Sequence, residues 1–119
     1  MPLSRADILK AKDLKTEAVE VPEWDGTVLV RALTAKERLD ISREITGPDG
    51  KIDRSATLDL QIRLPFLCMV DEAGARLFDA ESDLIALQSK SAAALERVFD
   101  VAQRLSALSK QAVDETKKG

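Results

Sequence analysis

The stretch from Val19 to Glu37, VEVPEWDGTVLVRALTAKE, joins two alternating apolar runs across Asp25-Gly26 and leads straight into a helix start. Alternation puts successive side chains on opposite sides of a strand, so each run is amphipathic with a period of two. Asp-Gly readily supplies the positive φ that a two-residue hairpin turn needs. Such a turn pairs Val21 with Val30, Glu20 with Arg31 and Val19 with Ala32. One face then carries Val19, Val21, Val28, Val30 and Ala32, and the other Glu20, Trp24, Thr27, Leu29 and Arg31. The valine face reads as core. The second face is polar except for Trp24 and Leu29, which makes it a candidate contact surface. A lone two-stranded hairpin is marginal in water, so the valine face must pack on helices.

Helical signals fill the rest of the chain. Ser4 caps a short amphipathic helix to Lys12, with Ile8 and Leu9 as its apolar contacts. Thr34 and Glu37 form a capping box that opens a helix to about Thr46, with Leu39, Ile41 and Ile45 as its apolar residues. Gly47-Pro48-Asp49-Gly50 ends it in a turn. Ser55 or Thr57 starts a third helix toward Val70. Leu58, Ile62, Phe66 and Met69 share one side of it, and Leu60, Leu64, Leu67 and Cys68 widen that side almost all round, which predicts the central buried element. Pro65 removes a backbone bond there and predicts a kink; the alternation Ile62-x-Leu64-x-Phe66 also fits a strand. After an Asp71–Gly74 turn, Leu77 and Phe78 return to the core. Asp79 or Ser82 caps a short helix with Leu84, Ile85 and Leu87. Ser91 caps a longer one, where Leu95, Val98, Phe99, Ala102 and Leu105 follow helical spacing. Ser109 starts a last short helix before a charged tail. The predicted class is α+β, a mainly helical bundle with one small N-terminal antiparallel β-hairpin. It forms a single domain over 1–119: a peripheral helix in 1–15, the hairpin in 16–33, the bundle in 34–113 and a flexible tail in 114–119.

Catalytic chemistry finds no parts. The 119 residues include no His and one Cys, which removes Ser-His and Cys-His pairs, imidazole acid/base chemistry and a Cys/His zinc site. Five glycines are spread singly and make no phosphate-binding loop. The carboxylate groups Asp71-Glu72 and Asp79/Glu81/Asp83 are explained by a turn and by the positive end of a helix. A calcium loop centred on Gly50 would need oxygen ligands where Ile45, Gly47 and Ala56 stand. Cys68, in an apolar run, reads as a buried inert thiol. A net charge of −3 with both signs interspersed argues against nucleic acid and anionic membranes. No signal peptide is visible, and no apolar run approaches the ~18 residues of a membrane span. No cofactor and no metal are called for.

Apolar surface is the remaining signal. Trp24 either folds onto a helix to complete the core or contacts a partner, as interface tryptophans often do. Leu95, Val98, Phe99 and Leu105 similarly read as core or as the wall of a docking groove. Together with Leu29 these are the candidate protein-binding residues.

The order of segments carries a family likeness. Leu3-Ser4-Arg5-Ala6-Asp7-Ile8-Leu9 is followed by the hairpin from Val19 to Arg31 and by Leu33-Thr34-Ala35-Lys36-Glu37-Arg38. Then come Val70-Asp71-Glu72-Ala73-Gly74-Ala75-Arg76-Leu77-Phe78, Lys90-Ser91-Ala92-Ala93-Ala94-Leu95 and Leu105-Ser106-Ala107-Leu108-Ser109. This order resembles the small tail assembly chaperones of long-tailed, siphovirus-type bacteriophages. The resemblance implies a non-enzymatic protein of the host cytoplasm, absent from the mature virion. Its expected partners are the tape measure protein, which it binds and keeps soluble, and tail-tube subunits, which it recruits. It also implies self-association and a longer form made by ribosomal frameshifting. Lys117-Lys118-Gly119 is compatible with the slippery codons AAA-AAG-GGN. A head–tail connector or tail-completion subunit would share the size and composition. A small bacterial regulatory protein fits less well, for want of a basic recognition helix.

Overall fold

The computed structural model describes residues 1–106; the expected Ser109 helix and the charged tail lie outside them. The chain runs α1 (Arg5–Lys10), β1 (Thr16–Val21), a 3₁₀ turn (Pro22–Trp24), β2 (Gly26–Arg31), α2 (Ala35–Ile45), α3 (Arg54–Cys68), β3 (Met69–Val70), α4 (Glu81–Leu87) and α5 (Ala92–Leu105). It is α+β, with a three-stranded antiparallel sheet in the order β1-β2-β3.

The hairpin is longer-looped than the Asp-Gly pair suggests. Val21 lies opposite Gly26, Val19 opposite Val28 and Thr16 opposite Arg31, so the strands slide by four residues from the two-residue-turn register. The reason is Pro22. Its fixed φ suits the first position of a 3₁₀ turn; the turn closes when the Asp25 N–H donates to the Pro22 carbonyl at 3.1 Å. Asp25 takes the left-handed conformation at φ 54, leaving Gly26 free to begin β2. An even slide preserves the faces, so Val19, Val21 and Val30 are buried as expected.

These valines join Ile41 of α2, Leu60, Leu64 and Phe66 of α3, Leu87 of α4, and Leu95, Val98 and Ala102 of α5 in one core. The Thr34 capping box forms as read: its hydroxyl accepts the Glu37 N–H at 3.2 Å, and the Glu37 carboxylate accepts the Thr34 N–H at 2.9 Å. Ser91 caps α5 by accepting the Ala94 N–H at 3.2 Å.

Other local expectations are corrected. Asp53, not Ser55 or Thr57, caps α3, accepting the Ala56 N–H at 3.1 Å; it comes first in the chain, and its carboxylate bonds readily to free helix N–H groups. Around Pro65 the expected helix forms, and the strand alternative does not. Proline gives no N–H to the Gln61 carbonyl, but the helix needs only one more turn, and the Met69 N–H closes it on the Pro65 carbonyl. α3 is central only from Leu60 onward, because Leu58 is exposed whereas Leu60 is buried. α4 is capped at Ala80 without a side-chain bond, and Leu39, Leu77 and Ile85 are exposed rather than core.

β3 is the unforeseen element. It follows α3 directly and sets Met69 opposite Val30 and Val70 opposite Leu29. The turn after it is held by Asp71, whose Oδ1 accepts the N–H groups of Ala73 and Ala75 at 2.9 and 3.0 Å, with Gly74 at φ 86. At the other end of the chain, α1 has the Ser4–Asp7 capping box but buries none of its residues. Ile8 and Leu9 are 59% and 66% exposed, so they are not contacts of this fold.

Candidate protein-binding site

Arg31 departs furthest from its expected place. Alternation assigned it to the outer face across from Glu20; instead it is 7% exposed and ties three elements together. Its Nη1 donates to Glu37 Oε1 at 2.8 Å and to the Ala32 carbonyl at 2.9 Å. Its Nη2 donates to Glu37 Oε2 and to the Leu67 carbonyl, both at 3.0 Å. The two-pronged geometry suits a planar guanidinium and a carboxylate. The hydrogen bond to Glu37 raises the guanidinium above its ordinary pKa despite burial. Burial alone would raise the Glu37 carboxyl; the bonds from Arg31 and Thr34 outweigh it and hold the group below the usual carboxylate range. The end of β2, the start of α2 and the end of α3 are therefore locked by one ion pair.

Next to this lock, Cys68 is fully buried, and burial pushes its thiol up to about 12. A thiol so protonated is a poor nucleophile. Native protein is therefore expected to resist a maleimide or disulfide reagent at neutral pH and to label fully in denaturant. Rapid labelling of the native state would show that this end of α3 opens.

The candidate contact residues fall into two groups. Leu95 and Val98 face inward from α5 and are buried. Trp24, Phe99 and Leu105 are half-buried and pack against the core, and Leu29 is half-buried beside β3. Trp24 sits in the 3₁₀ turn, which α5 holds through Arg97 Nε, donating to Glu23 Oε1 at 3.1 Å. Arg104 and Glu17 pair farther along the same helix, and the Ser106 hydroxyl accepts the Leu33 N–H at 2.9 Å. Thus α5 is pinned to the hairpin along its length.

Its opposite side borders a cleft of about 310 Å³ between α3 and α5. Ile62, Ala92, Leu95 and Phe99 give it apolar walls, and Gln61, Gln88, Lys90, Glu96 and Asp100 supply polar ones. The structure thus brings Leu95 and Phe99 together at one cleft. Trp24 sits with the hairpin loop, and Leu105 lies two turns farther along α5. The missed polar lining had a faint signal, since Glu96 and Asp100 lie one helical turn apart. Among the described residues, no helix is long and apolar enough to cross a membrane. None of them forms a group of three or more His, Cys, Asp and Glu side chains able to hold a metal ion.

The fold is a three-stranded antiparallel sheet packed against helices, with a cleft of mixed apolar and polar lining between α3 and α5. Residues 5–118 match the family model described as phage tail assembly chaperone, and the chain belongs to that family. Its fold is similar to the structure of the bacteriophage HK97 tail assembly chaperone, with a TM-score of 0.61 at 18% identity, covering 84% of this chain and 94% of that one. No curated protein matches the sequence.

Proposed function

We propose that this chaperone binds helical segments of the tape measure protein, keeps that protein soluble in the host cytoplasm and recruits tail-tube subunits to it. It acts by binding rather than catalysis and does not remain in the finished virion. The observation that carries this reading is the family match over residues 5–118. An apolar cleft with a polar rim adds physical support, since an amphipathic helix lays its apolar face into such a groove. Phe99, with Leu95 at the cleft wall, is the proposed client contact there. Trp24, Leu29 and Leu105 extend the surface, and Val98 holds α5 in place beneath it.

Co-expression with the tape measure protein is expected to raise that protein's soluble fraction and to co-purify the pair. Unchanged solubility with no co-purification would overturn the reading, and recovery of the chain from purified particles would favour a virion adaptor instead. Because Trp24 is only partly buried against the core, Trp24→Ala is expected to cost roughly 1–2 kcal/mol in urea unfolding, below the ~3–5 kcal/mol of a fully buried aromatic. Client capture should weaken in the same variant. A loss as large as that of a buried aromatic would remove Trp24 from the contact surface.

A further inference from the structure

We propose that the free edge of β1 accepts an extended, basic peptide segment as an additional strand of the sheet. At one end of the order β1-β2-β3, β3 is met by a bridge from Val70 to Arg76. At the other end, β1 pairs on one side only. Bonded and non-bonded residue pairs alternate along an antiparallel ladder. The Ala32 N–H donates to the Lys15 carbonyl at 2.9 Å, so Glu17 and Val19 also turn their main-chain groups toward β2. Thr16, Ala18 and Glu20 therefore turn theirs outward. All three residues are exposed, and among the described residues nothing bonds to these outward groups. A row of unpaired N–H and C=O groups is a template for another strand.

Charge decides which strand fits. Glu17 and Glu23 are engaged by Arg104 and Arg97 of α5, but exposed Glu20 has no ion pair among the described residues. Alternation puts Glu20 on the same face as Thr16 and Ala18, whose small side chains leave room for a partner's longer ones. A lysine or arginine opposite Glu20 gains a cross-strand charge pair, and a carboxylate there is repelled. Charges on an edge guard it against indiscriminate pairing; a single unpaired sign makes that guard selective. A second copy of β1 is a poor occupant, because it would set Glu17 and Glu20 of both copies in one ribbon. The occupant is thus an extended segment of a partner protein with alternating Lys or Arg. This inference goes beyond the proposed function: it uses main-chain groups of β1 rather than the α3–α5 cleft, and its test needs no tape measure protein.

Amide hydrogen exchange followed by NMR on the full-length protein tests it, with a synthetic peptide alternating lysine and threonine as the probe. In the free protein the amides of Thr16, Ala18 and Glu20 should exchange faster than those of Glu17 and Val19. Saturating peptide should slow those three at least about tenfold and leave Glu17 and Val19 unchanged. A peptide alternating glutamate and threonine should not slow them, nor should the lysine peptide N-methylated at every residue. Glu20→Lys should weaken binding of the lysine peptide at least about threefold, as a cross-strand attraction becomes a repulsion. Ala18→Pro removes one outward N–H and no bond to β2, a place where edge strands tolerate proline; it should fold and lose the peptide. Slow exchange of the three amides in the free protein, or no slowing by the lysine peptide, would overturn the proposal. So would equal slowing by either control peptide, an unchanged affinity in Glu20→Lys, or full slowing in Ala18→Pro.

Discussion

Arg31→Met is expected to lower the unfolding free energy by about 3 kcal/mol, the low end of the ~3–5 kcal/mol for breaking a buried ion pair. The low end applies because the Glu37 side chain keeps 19% exposure, so water partly solvates the abandoned carboxylate. The Ala32 and Leu67 carbonyls also lose a donor. Arg31→Met/Glu37→Gln should recover at least ~1 kcal/mol of that loss, since no charge is left unpaired and glutamine still completes a capping box. Urea unfolding of the singles and the double measures this coupling. A loss below ~1 kcal/mol for Arg31→Met would make the pair no stronger than a surface ion pair. The same lock sets an acid response. The folded Glu37 carboxyl lies below its ordinary value of 4.5, so its stabilisation is complete above that value and is lost as pH falls through the lowered one. Wild type should therefore lose more stability than Glu37→Gln between about pH 6 and pH 3, and parallel losses would contradict the lock.

Leu64→Ala is expected to cost roughly 3–5 kcal/mol, the range for a leucine in a core that cannot collapse around the cavity. Leu64 is fully buried on α3, where the rigid ring of Pro65 and the fully buried Cys68 are also packed. Against a total of ~5–15 kcal/mol for a domain of this kind, that leaves a marginal protein. Leu58→Ala in the same helix should change stability by less than about 0.5 kcal/mol, as surface substitutions usually do. Equal effects at the two positions would mean that Leu58 is as buried as Leu64.

That contrast shows where sequence reading stops. Leu58 and Leu64 are both leucines on one strongly apolar helix, and periodicity placed Leu58 on the same face as Ile62 and Phe66. What separates them is which turns of α3 meet α5 and the sheet, a property of the whole assembly. The cleft has the same origin. Leu95 and Phe99 were marked by their spacing, but no local pattern says that Ile62 and Gln61 of α3 stand across from them.

What the chain determined alone are the features whose physics is local. Capping boxes at Ser4 and Thr34 depend on residues three apart, the Ser91 cap on one hydroxyl, and the valine face on a period of two that survives any even slip. The turn residues Asp71 and Gly74 likewise carry their own geometry. Tertiary structure decided the rest: the hairpin register, where Pro22 and a 3₁₀ turn prevailed over Asp-Gly; β3, too short to show a period; and the burial of Arg31. An arginine after alternating valines is outward by local rules. It turns inward here because Glu37 and the Leu67 carbonyl, from two other elements, together compensate the charge it takes out of water.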